Sequence, residues 1–377
     1  MKRDASIELY RVAMILGVCF LHSITFGKLS PTPIYDSVCM FCVVGFVLIT
    51  GWFGCRLHVR KIIDLYAIGL WCAALSVVLR LFADGAVLNH GFLSEVRSQL
   101  WRYWFLHAYV FVMLISPFVN ASFGKEGGWR PALPLIFIAF AWSWISGLCP
   151  DVLPQVPGLA NGGYSGFVLA AVYATGRAMR QLDSQGRRLS GIWAVFIFVL
   201  CIVAVCLMPN AIGKSSRAFA AYNSPVVLIM AIASFYAFRQ IPVGSVLARW
   251  LLFVTPSVFP IYLLQTNAYA IPKIHSLAVT LDGWGMPRFL VYLATALAIF
   301  TACLGCDFGR RLLLLAVSRS SMRSNAPRRR PRKPESTTSS AVWPWMRQAV
   351  GKWREVAVRL GIPRHEQEEM ARCFARL

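Results

Sequence analysis

Residues 7–27 read IELYRVAMILGVCFLHSITFG. This stretch is apolar over the roughly 20 residues that a helix needs to cross a bilayer. Similar runs recur as far as Cys306, with short polar segments between them. We predict about ten spans, near 7–27, 34–55, 62–83, 101–121, 132–149, 163–182, 191–209, 222–238, 250–272 and 287–306. The predicted fold is all-α, a polytopic transmembrane helix bundle.

The composition supports one membrane domain rather than several water-soluble ones. Hydrophobic residues make up 57% of the 377-residue chain and charged residues 14%, whereas soluble domains are about 45–50% apolar and 25% charged. The first apolar run follows a basic Met-Lys-Arg start, as in a signal peptide. Because the run is long and no small-residue cleavage site follows it, we predict that it is retained as the first span.

The net charge of +22 is explained largely by membrane orientation. With the N-terminus in the cytoplasm, most basic residues between spans fall on the cytoplasmic side, as the positive-inside rule requires. These residues are Arg56, Arg60, Lys61, Lys125, Arg130, Arg180, Arg187, Arg188, Arg239 and Arg249. An even number of spans returns the C-terminus to the same side. We therefore predict a multi-pass protein of the inner (cytoplasmic) cell membrane, with the lipid bilayer as partner and no nucleic acid.

The sequence divides into three regions. Residues 1–310 form the predicted transmembrane domain, and 311–340 a basic, Pro- and Ser-rich linker whose composition cannot form a core. Residues 341–377 combine tryptophans with Arg and Lys. They are predicted to form either an amphipathic helix on the inner leaflet or a solvated helical tail. The eleven cysteines lie mostly in apolar runs, so no metal site is predicted.

The strongest candidate site lies on the first span. Arg11 and His22 are eleven residues apart, which on an α-helix is three turns plus roughly 20°, with about 16 Å between them along the axis. They share one face and can line one cavity without touching. Ionisable side chains inside a span are costly and therefore functional candidates. A neutral histidine can deprotonate a hydroxyl, and arginine can hold a phosphate.

This pattern resembles the acyltransferase-3 family of membrane O-acyltransferases, which modify bacterial surface polysaccharides. The resemblance rests on Arg11 and His22 with Glu8 three residues before the arginine, and on later segments in the same order. These are GFVLITGWF at 45–53, the basic turn 56–61, YWFL at 103–106, YNSP at 222–225 and IYLLQ at 261–265. The chain departs from the family pattern at Gln265, where a histidine is usual, and at Asp64, where a second arginine is expected.

The resemblance implies an acyltransferase for groups other than aminoacyl groups. It would move an acetyl group from acetyl-CoA, as cytoplasmic co-substrate, to a hydroxyl of a cell-surface or lipid-linked carbohydrate. His22 would be the general base or would carry the acyl group, and the residues do not separate these roles. Arg11 would hold the donor, helped by Arg56, Arg60 and Lys61.

Further candidates and rival functions remain. Trp104, His107 and Gln265 are weaker site candidates. His107 could line the same cavity, but we favour a histidine that is satisfied by a neighbouring helix. We expect Asp64 to pair with Arg60 one turn earlier. A polar-lined bundle also suits a transporter or flippase of a glycan or lipid-linked sugar, and the basic tail suits a membrane sensor or scaffold.

Overall fold

The computed structural model describes residues 4–29, 35–85, 91–123, 128–149, 162–211, 219–324 and Glu368. Among these residues there are helices and no strand, so the predicted all-α class is confirmed. The first helices are α1 Ala5–Gly27, α2 Tyr35–Cys39, α3 Phe41–Phe53, α4 Val59–Ala83, α5 Phe92–Trp101, α6 Trp104–Ser122, α7 Leu133–Ile136 and α8 Ser143–Leu148. The later helices are α9 Gly166–Ser184, α10 Gly191–Ala211, α11 Pro225–Arg239, α12 Ser245–Val254, α13 Val258–Gln265, α14 Ala270–Gly283 and α15 Arg288–Ser324.

Six helical segments of the described chain are long and apolar enough to cross a membrane. They are Ala5–Gly27, Val59–Ala83, Trp104–Ser122, Gly191–Met208, Ser245–Gln265 and Arg288–Ala316. The other four predicted spans also fall on helices, but these are shorter or more polar: α3, α7 with α8, α9 and α11. A multi-pass membrane protein is thus supported, and the count of ten spans stays a prediction.

The predicted span 250–272 is wrong at its end, beyond Gln265. The helix stops at Gln265 and a new one, α14, begins at Ala270. The break is capped by Asn267, whose side-chain oxygen accepts hydrogen bonds from the backbone N–H groups of Tyr269 and Ala270 at 3.0 and 2.7 Å. Capping of this kind competes with helix continuation inside an otherwise apolar run. Helices α5 and α14 were not predicted.

Helix α1 occupies the middle of the bundle, in contact with α3, α11, α12, α13 and α14. It begins where the Asp4 side chain accepts a hydrogen bond from the backbone N–H of Ser6, a usual N-cap. Tyr10 is 1% exposed, and its hydroxyl donates to the carbonyl of Ala231 and bonds the hydroxyl of Ser234. This polar anchor fixes the rotation of α1 against α11, and with it the direction in which Arg11 and His22 point.

Helices α3 and α9 cross at two glycines. A Cβ atom at Gly51 would meet the carbonyl of Tyr173, and one at Gly176 would meet the carbonyl of Leu48. Small residues let helix backbones approach closely in membranes. The crossing brings the end of α3, and the turn that follows it, against α9.

The chain divides into two compact units, 1–315 and 316–377. The first contains the helices discussed below. Of the second, only the end of α15 and Glu368 are described. Most of the predicted linker and all but one residue of the predicted tail therefore lie outside the described residues.

Candidate active site

Arg11 is held by the acid predicted beside it. One guanidinium nitrogen donates to both carboxylate oxygens of Glu8, at 3.1 and 3.3 Å. Glu8 is 3% exposed, and the guanidinium also lies over the ring of Phe53, 5.7 Å from its centroid. Because the carboxylate is buried and the arginine side chain remains 28% exposed, the pair aims a cation at a space open to solvent.

That space consists of two cavities of about 410 and about 300 Å³, which we call the Arg11 chamber. Four residues line both cavities: Arg11, Thr50, Leu65 and Tyr109. Lys61 lines the first cavity and adds a second cation, while Asp64 adds a carboxylate. The chamber combines an apolar wall with cations at one end, which suits a ligand with an anionic head and an apolar arm.

The turn after α3 forms part of this wall and is fixed by a closed hydrogen-bond network. The Cys55 N–H donates to the Tyr173 hydroxyl, that hydroxyl donates to the side-chain oxygen of Asn120, and the Asn120 amide donates to the Cys55 carbonyl, each at 2.8 Å. Gly54 has φ +75°, a conformation that favours glycine. Helices α6 and α9 therefore determine the shape of the chamber at this turn.

Three arginines on α9 and α11 were missed as site candidates. Arg177 lies against Gly54, and its buried Nε has no hydrogen-bond partner among the described residues. Arg180 and Arg239 lie over the ring of Trp52, 5.2 and 4.6 Å from its centroid. The sequence signal was the pair Arg177 and Arg180, spaced i, i+3 on a helix of small residues. It could not be tied to the chamber without knowing that α9 packs on α3.

His22 lines a separate cavity of about 630 Å³, which we call the His22 chamber. Its Nδ1 atom is buried and makes no hydrogen bond to the described residues. The ring contacts Phe26 and Tyr262, with centroids 5.0 and 6.1 Å away. Gln265 is buried close to the ring, and neither polar atom of its amide has a partner in the described part of the chain. Buried polar atoms without partners are uncommon, and of these two residues His22 belongs to the described lining of the chamber.

The two chambers meet at Tyr262. Comparing the described linings of the His22 chamber and of the second cavity of the Arg11 chamber, Tyr262 is the one residue they share. Its ring is 5% exposed and packs on Phe105, 4.8 Å between centroids. The face of α1 that carries Arg11 and His22 therefore borders two spaces separated by an aromatic wall. The sequence predicted a single cavity.

The remaining candidates fall in different places. Trp104 lines the His22 chamber. His107 does not lie on either chamber as described: its Nδ1 bonds the Tyr66 hydroxyl and its Nε2 bonds the Leu100 carbonyl, which agrees with a buried, satisfied histidine.

The basic turn before α4 contributes one residue to a described lining. Arg56 and Arg60 are exposed and lie outside the described linings, unlike Lys61. The expected pair of Asp64 with Arg60 is wrong, because no ion pair joins these two described residues. Both side chains are exposed, and solvent weakens such pairs.

The described residues thus form a helical bundle whose central helix carries a half-buried histidine and an ion-paired arginine. Residues 4–307 match the family model of the acyltransferase-3 group, described as an acyltransferase domain, and the chain belongs to this family. The predicted family and enzyme class, a transferase of acyl groups other than aminoacyl groups, are thereby confirmed. No curated protein and no solved structure gives a significant match to the chain.

Proposed function

We propose that this acyltransferase moves an acetyl group from acetyl-CoA to a hydroxyl of a cell-surface or lipid-linked glycan. The observation that carries the proposal is the placement of Arg11 and His22 on two chambers that meet at Tyr262. One chamber presents cations to a donor, and the other presents a histidine to an acceptor. The transporter and scaffold alternatives gain no support from the family match.

The Arg11 chamber is the proposed donor site. Coenzyme A carries phosphates on one end of a long flexible arm and the thioester on the other. Arg11 and Lys61 offer positive charge at the chamber, and Arg177 adds a guanidinium behind the Gly54 turn. Arg56 and Arg60 are exposed on the same turn and helix start, where they would attract the donor from solution. We expect this chamber on the cytoplasmic side, because the predicted orientation follows the positive-inside rule.

The chemistry then has two forms that differ in the role of His22. As a general base, the imidazole takes the proton of the acceptor hydroxyl while the hydroxyl oxygen attacks the thioester carbonyl. The C–S bond breaks, and coenzyme A leaves as a thiolate that takes up a proton. As an acyl carrier, the imidazole nitrogen attacks first, releases coenzyme A, and passes the acetyl group to the hydroxyl in a second step.

The test follows labelled acetyl groups in membranes that contain the protein. Wild-type membranes should release coenzyme A and label the glycan. His22→Ala should lower transfer by about 10²–10⁴-fold, the usual contribution of a general base. Thr25→Ala is the matched control, because Thr25 lines the same chamber and its hydroxyl donates, among the described residues, to the Leu21 carbonyl of its own helix. Equal transfer by His22→Ala and wild type, at equal protein levels, would remove His22 from the mechanism.

The same membranes separate the two roles of His22. Without acceptor, an acyl carrier should retain label on the acid-quenched protein and lose it in His22→Ala. A general base should leave the protein unlabelled while the complete reaction still depends on His22.

A further inference from the structure

The described lining of the His22 chamber carries charge of one sign. Among these described residues no carboxylate occurs, and the charged side chain is Arg102, just after α5. The other polar groups of the described lining are hydroxyls, the indole N–H of Trp104, the His22 imidazole and backbone. A chamber of this composition attracts a ligand with negative charge and repels one with positive charge.

Arg102 has no acidic partner among the described residues. The acids nearest to Arg102 in the sequence are already paired, because Arg80 binds Glu95 at 3.4 Å and Lys273 binds Asp84 at 2.6 Å. Arg102 is exposed, so its guanidinium is available to bind a carboxylate or phosphate bidentately.

Beside Arg102 stands a cluster of three aromatic rings. Trp104 and Tyr164 lie 4.8 Å apart between centroids, Tyr164 and Tyr222 also 4.8 Å, and Trp104 and Tyr222 5.6 Å. All three residues line the His22 chamber. Aromatic faces carry partial negative charge and attract the polarised C–H groups on the flat side of a sugar ring.

The aromatic cluster is held in place by its backbone. The Tyr222 N–H donates to the Gly162 carbonyl at 2.9 Å. A Cβ atom at Gly163 would collide with Tyr222 and Asn223, and the Asn223 amide donates to the Ser143 hydroxyl at 2.7 Å. Tyr222 is 3% exposed whereas Tyr164 is 46% exposed, so the Tyr164 ring is the solvent-accessible member of this pair.

We infer that the acceptor is an anionic glycan, bound with its sugar ring on Trp104 and Tyr164 and its negative charge on Arg102. This inference rests on the proposed function and deepens it by naming the acceptor class. The charge belongs to a carboxylate or phosphate on the sugar that is acylated or on its neighbour. Arg102 acts as a specificity-determining residue, and His22 meets the hydroxyl.

The test compares three acceptors in membranes supplied with acetyl-CoA. They are an oligosaccharide of hexuronic acids, the same oligosaccharide with its carboxyl groups reduced, and a neutral oligosaccharide bearing a phosphodiester. Wild type should favour at least one anionic acceptor over the reduced one by about tenfold or more in kcat/KM, the size of a charge-assisted hydrogen bond. Preference for the carboxylate or for the phosphodiester identifies the source of the charge.

Arg102→Gln should remove that preference, because transfer to the anionic acceptor should fall more than transfer to the reduced one. Arg102→Lys should keep part of the preference. Arg97→Gln is the matched control, because Arg97 is exposed on α5, the helix that ends just before Arg102, and is not part of the described chamber lining. An unchanged melting temperature in detergent should show that Arg102→Gln is folded.

Three results would overturn the inference while leaving the proposed function intact. In the first, the wild type releases coenzyme A but shows no preference for a charged acceptor. In the second, the wild type acylates none of the three acceptors. In the third, Arg102→Gln slows transfer to all acceptors equally. The last result assigns Arg102 to anchoring at the bilayer surface. A wild type that consumes no acetyl-CoA at all removes the proposed function itself.

Discussion

Replacing Glu8 with glutamine tests whether this buried acid positions Arg11 for the donor. Glu8→Gln keeps the size of the side chain and removes its charge. A hydrogen bond to a charged partner contributes about 1.5–3 kcal/mol, and Arg11 is 28% exposed on its side chain, so we take the lower end. About 1.4 kcal/mol corresponds to a tenfold change in binding. We therefore expect KM for acetyl-CoA to rise about tenfold, with little change in kcat.

Asp64→Asn supplies a control with the same change of charge. Asp64 lines the Arg11 chamber but is exposed and forms no ion pair with the described residues. Removing a negative charge from the chamber should by itself strengthen binding of an anionic donor. General electrostatics thus predicts a lower KM for both variants, whereas positioning of Arg11 predicts a higher KM for Glu8→Gln alone.

The assay is initial-rate release of coenzyme A over a range of acetyl-CoA concentrations, in membranes with matched protein levels. Raising the salt concentration should weaken donor binding in both variants, because exposed charges are screened. A Glu8→Gln variant whose KM falls, or moves together with that of Asp64→Asn, would refute the positioning role.

Two further predictions concern the support of the Arg11 chamber. Gly176→Ala should destabilise the protein by about 1–3 kcal/mol, because the new methyl group meets the Leu48 carbonyl. The melting temperature in detergent should therefore fall. Gly305→Ala is the control and should leave the melting temperature unchanged, because its new methyl group meets no described atom within 4 Å. Tyr173→Phe leaves the Cys55 N–H and Asn120 without their shared partner. It should lower the stability of the protein by about 1–3 kcal/mol and raise KM for acetyl-CoA. An unchanged KM would mean that this turn does not shape the donor site.

Local features of the site could be predicted from the sequence. The shared face of Arg11 and His22 follows from the period of a helix, and both residues lie on the unbroken helix α1. The contact of Glu8 with Arg11 is a neighbour relation at i, i+3, so it needs no knowledge of the tertiary fold. The partners of His107 could not be predicted in this way, because they lie on α4 and at the end of α5 and are known only from the packing of these helices.

Contacts between distant helices could not be predicted in this way. Arg177 lies far along the chain from Gly54 and approaches it only because Gly51 and Gly176 let α3 and α9 cross closely. The position of Tyr262 between the chambers depends on α13 packing against α1. The end of α13 was also missed, because Asn267 interrupts a run whose hydropathy alone favours one long helix.

The aromatic wall at Tyr262 has a consequence for the membrane as an electrical insulator. In the proposed mechanism one ligand enters from the cytoplasm and the other from the opposite side, so that a cavity opens toward each face of the bilayer. The membrane potential drives ions inward with about 2.3 kcal/mol per charge for each 100 mV. The packed rings of Tyr262 and Phe105 lie between these two cavities. We expect the same tyrosine, which borders both ligands in the proposed mechanism, to slow proton leakage through the protein.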